Sequence, residues 1–133
     1  MHISEVEAFL STSRLSLPQH VFVINETVWQ EVDGQILYRG LAPKKRSDVI
    51  VLTPHAITET VGHECAHASL GMGEFGATVI GKMSAMKYRV LNHFPNVKAL
   101  AERPVRYEKC NGSCDFPKAH QYGDRVEHYV LKR

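Results

Sequence analysis

The sequence predicts an α+β fold with an N-terminal helix, a small three-stranded sheet, two further helices and an irregular C-terminal tail. The chain has 133 residues, of which 44% are hydrophobic, so we expect a single domain with a modest core. Short apolar, β-branched runs predict strands, and longer segments with apolar residues at every third or fourth position predict helices. No repeat, low-complexity tract or linker interrupts the sequence.

The first half of the chain contains the N-terminal helix and the three strands. Residues 3–15 form an amphipathic segment, predicted to be a helix whose apolar side chains Val6, Phe9 and Leu10 face the core. A turn at residues 33–34 predicts a hairpin leading into the second strand. The predicted strands are residues 21–24, 36–39 and 48–52.

Two helices follow the third strand. Thr53-Pro54 resembles an N-cap followed by a proline at the first helical position, so we expect a helix over residues 55–70. A Gly71-Met72-Gly73 turn ends it, and a second helix is predicted over residues 74–91. Its apolar stripe consists of Phe75, Val79, Met83, Met86 and Val90. Its small residues, which permit close helix packing, are Gly76, Ala77, Gly81, Ser84 and Ala85.

The most informative motif is His63-Glu64-Cys65-Ala66-His67, which matches H-E-x-x-H. Two histidines four residues apart lie on one face of a helix, so both imidazoles can bind a single Zn²⁺. Glu64 can then act as general base toward a water molecule whose pKa zinc lowers. Cys65 points away from that face, and we expect it to be a small core residue.

A catalytic zinc site usually has three protein ligands and keeps one position for water. Glu74, directly after the glycine turn, is the preferred third ligand because no other acidic residue follows the turn closely. The alternative is that Glu74 only complements the positive end of the helix dipole. Glu102 and Glu108 are the other candidate ligands.

With Glu74-x-x-Ala77 after the motif, the sequence resembles the gluzincin branch of the zincin metallopeptidases. Its overall plan is similar to that of the minigluzincins and of small repressor-cleaving or antirestriction-type zincin domains. The resemblance implies one zinc ion bound by His63, His67 and Glu74, peptide-bond hydrolysis with Glu64 as base, and an edge strand before the active-site helix. It covers a core at residues 1–94, which leaves residues 95–133 as an extension. Six residues separate His67 from Glu74, a spacing closer to that of metzincins.

Two classes of function follow from these residues. The first is a zinc-dependent metallopeptidase that hydrolyses peptide bonds through a zinc-activated water. The alternative is a zincin-fold regulatory or host/phage-interaction protein that binds metal without significant proteolysis. Glu64 favours the peptidase, because a structural metal site gains nothing from a general base. The candidate donors to the oxyanion are Tyr88, His120, Tyr122 and His128.

The resemblance implies a peptide or protein substrate as the partner, and composition makes no strong statement about others. The net charge is only +2, and the basic residues 44–46 are interpreted as a solvated loop, so we do not expect nucleic acid to bind. No apolar run approaches the roughly 20 residues of a membrane span, and residues 1–5 lack the features of a signal peptide. We therefore expect a soluble, cytoplasmic protein without a membrane partner.

The tail contains Cys110 and Cys114, separated by three residues. Three interpretations compete: a disulfide, ranked first; a structural zinc site with His120 and His128; and two unrelated thiols. Residues 125–131 alternate as a strand does, so a plain strand residue facing solvent is an equal alternative for His128.

Overall fold

The computed structural model describes residues 1–27, 29–31, 35–37, 39–43, 46–110 and 126–132. These residues form an α+β fold with four helices and an open, mixed five-stranded sheet. The helices are α1 (Ile3–Thr12), α2 (Thr58–Leu70), α3 (Glu74–Asn92) and α4 (Pro95–Ala101). The strands are β1 (His20–Ile24), β2 (Trp29–Glu31), β3 (Gln35–Leu37), β4 (Gly40–Leu41), β5 (Val49–Leu52), β6 (Tyr107–Lys109) and β7 (Val126–Leu131).

The main sheet has the order β4-β5-β1-β7-β6, so the prediction of three strands was wrong. Strands β4 and β6 are two and three residues long, too short to give a sequence pattern. The predicted second strand lies instead in a separate β2-β3 hairpin. Strand β5 is parallel to β1 and is not an edge strand, because β4 pairs with its other side.

Helix α1 ends at Thr12, three residues earlier than predicted, where hydroxyl groups of its last residue and of the next one bind its carbonyls. Thr12 and Ser13 donate to the carbonyls of Phe9 and Leu10, at 3.0 and 3.1 Å. Arg103 reaches the same end from the C-terminal region and donates to the carbonyl of Leu15 at 2.5 Å. This contact ties residues 10–15 to the segment that follows α4.

One face of the sheet packs against α1 and α2 and forms the main core. The predicted inward residues Val6, Phe9 and Leu10 are all fully buried there, beside Val61 and Cys65 of α2. The opposite face holds a smaller cluster around β1 and β5, made of Phe22, Ile24, Val49 and Val51. Alternate residues of each strand therefore belong to different clusters, as the two-residue period of a strand requires.

The described part of the C-terminal segment is not an irregular tail. It contains α4 and two strands of the sheet, and Val105, Tyr107 and Tyr129 are members of the main core. The Tyr107 hydroxyl donates to the carbonyl of Pro18 at 2.5 Å. The predicted late strand is confirmed as β7, but His128 is buried rather than facing solvent, because it stacks on Phe22.

Helix α2 begins at Thr58, three residues later than predicted. Thr53 accepts a hydrogen bond from the His55 N–H at 3.3 Å, so this threonine organises a turn before the helix. The N-cap is Ile57, whose N–H donates to the Thr60 hydroxyl at 3.1 Å. A capping box consists of two reciprocal hydrogen bonds, and this is the one from the N-cap N–H to the side chain of the third helical residue.

Helix α3 packs against α2 through its small residues, as their composition indicates. The residues of the apolar stripe, Phe75, Val79, Met83, Met86 and Val90, lie outside that contact and are all exposed. Gly62 and Gly81 allow the close approach: a Cβ built on Gly62 would lie 3.0 Å from the Gly81 Cα. Side chains as large as methionine do not fit between backbones at this distance.

Within the described ranges, no helix combines the length and apolar composition that a membrane span needs. Several predictions concern positions outside those ranges: the hairpin turn at residues 33–34, the basic residues 44 and 45, and His120 and Tyr122. Cys114 also lies outside them, so the disulfide remains a prediction.

Candidate metal centre

Helix α2 turns its two motif histidines toward the start of α3. Val61 and Cys65 face the main core, and His63 and His67 lie on a neighbouring side and are partly exposed. The Nε2 atoms of the two histidines are 3.0 Å apart. The i, i+4 spacing has therefore brought two imidazole nitrogens to one point.

Glu74 completes a group of three possible ligands. Gly71 has the left-handed conformation (φ 63°) that ends α2, and α3 begins only three residues later. Carboxylate oxygens of Glu74 lie 2.8 Å from Nε2 of His67 and 3.3 Å from Nε2 of His63. Besides occupying the first turn of α3, Glu74 thus contacts both imidazoles, although 82% of its side chain is exposed.

The three side chains could hold a metal ion, and the spacing of their nitrogen and oxygen atoms can be compared with that of a zinc site. Zinc binds histidine nitrogen and carboxylate oxygen at about 2.0–2.2 Å in a tetrahedral arrangement, which separates two ligands by roughly 3.3 Å. The two Nε2 atoms are 3.0 Å apart, one oxygen of Glu74 lies 2.8 Å from His67, and its other oxygen lies 3.3 Å from His63. These distances are close to that separation. No other group of three such ligands occurs in the described part of the chain.

The second nitrogen of each imidazole has its own partner. Nδ1 of His67 lies 2.6 Å from the carbonyl oxygen of Met72, which can only accept, so Nδ1 carries the proton. Nδ1 of His63 lies 3.4 Å from the Thr78 hydroxyl. With Nδ1 of His67 protonated, the lone pair of its Nε2 is available to a metal. The carbonyl of Met72 was not predicted, because residue type gives no information about a backbone ligand.

Glu64 lies beside this cluster and is almost completely buried, at 6% exposure. One of its carboxylate oxygens is 3.7 Å from Nε2 of His63. Burial raises the pKa of the Glu64 carboxyl to about 7, and the nearby His67 opposes that shift. A carboxyl group with a pKa close to neutrality can both take up and release a proton, as a general base and acid must.

A cleft of about 480 Å³ opens next to Glu64 and His63. Its wall includes Arg39 and Gly40, and a Cβ built on Gly40 would lie 2.8 Å from Thr60 and 3.2 Å from Glu64. Strand β4 therefore approaches the buried carboxylate so closely that only glycine fits. Sequence reasoning missed Gly40, although a glycine next to a predicted strand is the signal of such an approach.

Two other candidate ligands and one candidate oxyanion donor lie away from the metal cluster. Glu102 pairs with Lys98 at 3.8 Å, and Glu108 is exposed on β6. Tyr88 packs edge-on against Phe9, in the main core.

His128 lies with Phe22 on the face of the sheet opposite α2 and contacts His20, 2.9 Å away. Neither Tyr88 nor His128 therefore lines the described cleft as an oxyanion donor. Cys65 is buried in the core as predicted, and burial raises the pKa of its thiol to about 12, with Glu64 acting in the same direction.

Comparisons with protein-family models, with curated proteins and with solved structures find no match to this chain. A proposal about function must therefore rest on the residues and geometry of this site.

Proposed function

We propose that this protein is a zinc-dependent metallopeptidase with a zincin-like, gluzincin-type site. The observation that carries the proposal is the convergence of His63, His67 and Glu74 beside the buried carboxylate of Glu64. Two imidazoles and one carboxylate are the ligand set of many catalytic zinc sites, which leave one position open. A purely structural site would not require a second, buried carboxylate next to its three ligands.

In this proposal each residue of the site has a separate role in catalysis. A bound zinc ion supplies a Lewis acid that lowers the pKa of water and polarises a carbonyl group. Glu64 takes the proton from the attacking water on its carboxylate and then delivers it to the departing amine nitrogen. Because Glu64 is buried, bulk water does not compete for its carboxylate, and the hydrogen bond to the attacking water is stronger. The Met72 carbonyl keeps His67 in the required tautomer, and the Thr78 hydroxyl orients His63.

An extended substrate peptide could pair with β4 as an additional strand. This strand lies at one end of the described sheet and pairs on one side only, with β5. A peptide can add to such an edge through main-chain hydrogen bonds, which do not depend on its sequence. The cleft at Gly40 and Glu64 would then receive a scissile bond of that peptide. Peptide or protein is therefore the substrate class that we propose.

The test is hydrolysis by zinc-loaded protein. A library of unstructured peptides is incubated with wild type, with Glu64→Gln and with His67→Ala, and new amino termini are identified by mass spectrometry. We expect cleavage by wild type, at least 10²-fold slower cleavage by Glu64→Gln, and none by His67→Ala. Glu108→Gln is the matched control, since Glu108 is exposed on β6 and outside the site.

Cleavage that persists at the wild-type rate in Glu64→Gln would contradict the mechanism. If wild type binds one zinc ion but cleaves none of the library, the alternative of a metal-binding protein without significant proteolysis replaces the proposal.

A further inference from the structure

The outward face of α3 carries five large apolar side chains, Phe75, Val79, Met83, Met86 and Val90, which we call the apolar stripe. Their exposed fractions range from 38% to 85%. Large contiguous apolar patches are rare on the surfaces of monomeric proteins and mark interaction sites. Further exposed apolar residues follow along the chain in α4 and just before it: Phe94, Val97 and Leu100.

The five residues of the stripe lie on one side of the helix. At about 100° per residue, its five members fall within roughly 80° of one another. The buried residues Ala77, Gly81 and Ala85 lie on the opposite side, against α2. From Val79 to Val90 the spacing is four, three and four residues, which is the spacing of a seam between two packed helices. The face thus has the geometry that a second helix requires.

Basic residues border the stripe on both sides. By helical position, Lys82 and Arg89 lie along one border and Lys87 along the other, and all three are exposed. Residues 75–101 contain four lysines and arginines and no aspartate or glutamate. Two copies of this face packed on each other would bring like charges together, which opposes association.

We propose that the apolar stripe is a docking site for an amphipathic helix of a partner protein, whose apolar side is bordered by aspartate and glutamate. The apolar side chains bury the stripe, and the acidic borders pair with Lys82, Lys87 and Arg89. Met83 and Met86, at the centre, are flexible and adapt to side chains of different shape. Binding at this face needs neither the metal nor Glu64, because both lie at or before the first residue of α3.

The experiment uses a designed probe: a fluorescent helical peptide of about three heptads with leucine at the seam and glutamate on both borders. Binding is followed by fluorescence anisotropy. We expect the double variants Met83→Ser/Met86→Ser and Lys82→Glu/Lys87→Glu each to bind at least about tenfold more weakly than wild type. Leu70→Ser and Lys109→Glu are the matched controls, since both residues are exposed and lie outside α3.

Comparing probes of opposite border charge distinguishes an acidic partner helix from other molecules that could bind the stripe. A probe with lysine on its borders should bind at least about tenfold more weakly than the acidic probe, and added salt should reduce that difference. Equal affinity for both probes, or no effect of the stripe variants, would overturn the proposal. So would binding to phosphatidylserine vesicles without binding to the acidic probe, or a stripe-dependent dimer in analytical ultracentrifugation.

Discussion

Replacing Gly81 by alanine tests whether the close packing of α2 and α3 creates the metal site. A Cβ at this position would lie 2.7 Å from the Glu59 carbonyl oxygen and 3.1 Å from the His63 backbone nitrogen. Ordinary contacts begin near 3.4 Å, so the helices must separate by roughly 0.7 Å. Both neighbours are backbone atoms of α2, which cannot rotate away as a side chain can.

The expected change in the free energy of unfolding is the difference between two opposing effects. Overpacking of this kind costs about 1–3 kcal/mol, whereas alanine in a helix is favoured over glycine by about 0.8–1.0 kcal/mol. We therefore expect Gly81→Ala to lower the free energy of unfolding by about 1 kcal/mol. The matched control is Gly76→Ala on the same helix, where the nearest atom is the flexible Met72 sulfur at 3.3 Å. That variant should gain about 0.5–1 kcal/mol.

The assays are urea unfolding of the metal-free protein and zinc affinity by competition with a chelator. Since α3 carries Glu74, its displacement from His63 and His67 should weaken zinc binding by roughly tenfold in Gly81→Ala. Gly76→Ala should retain the wild-type affinity. The reasoning is refuted if the two variants are equally stable and bind zinc equally well.

Three further substitutions test other contacts. Arg103→Met should lower the free energy of unfolding by about 1–2 kcal/mol in urea titrations, because the carbonyl of Leu15 loses a charged donor; an unchanged midpoint would contradict this. Thr78→Val should reduce zinc affinity by about tenfold, since the hydroxyl near Nδ1 of His63 is lost; equal chelator competition curves would contradict it. Gly40→Ala should lower kcat/KM for peptide cleavage by about tenfold or more by displacing β4 from Glu64, and wild-type kinetics would show that β4 does not position the substrate.

The parts of the site that the sequence predicted are those set by local geometry. The spacing of His63 and His67 places them on one helix side whatever surrounds them. A turn of three residues leaves Glu74 no position far from His67, so its contact with the imidazoles followed from chain length. Gly40 was missed because its role depends on a strand that is distant in sequence from α2.

The errors concern pairing and packing between distant segments. Strand β7 lies beside β1, with Phe22 opposite His128, and no local pattern specifies that pairing. The side of α3 that packs against α2 was predicted from its small residues. Gly62 and Gly81 let the two backbones meet there, so the larger residues remain outside. An apolar stripe indicates burial against something, but that partner need not be part of the same chain.

The central claim is that His63, His67 and Glu74 bind one zinc ion. X-ray absorption of the protein loaded with one equivalent of zinc measures the ligands directly. We expect two imidazoles and oxygen ligands at about 2.0–2.2 Å, with a carboxylate contribution lost in Glu74→Ala and kept in Glu102→Ala. A sulfur ligand at about 2.3 Å, or an unchanged spectrum in Glu74→Ala, would contradict the account.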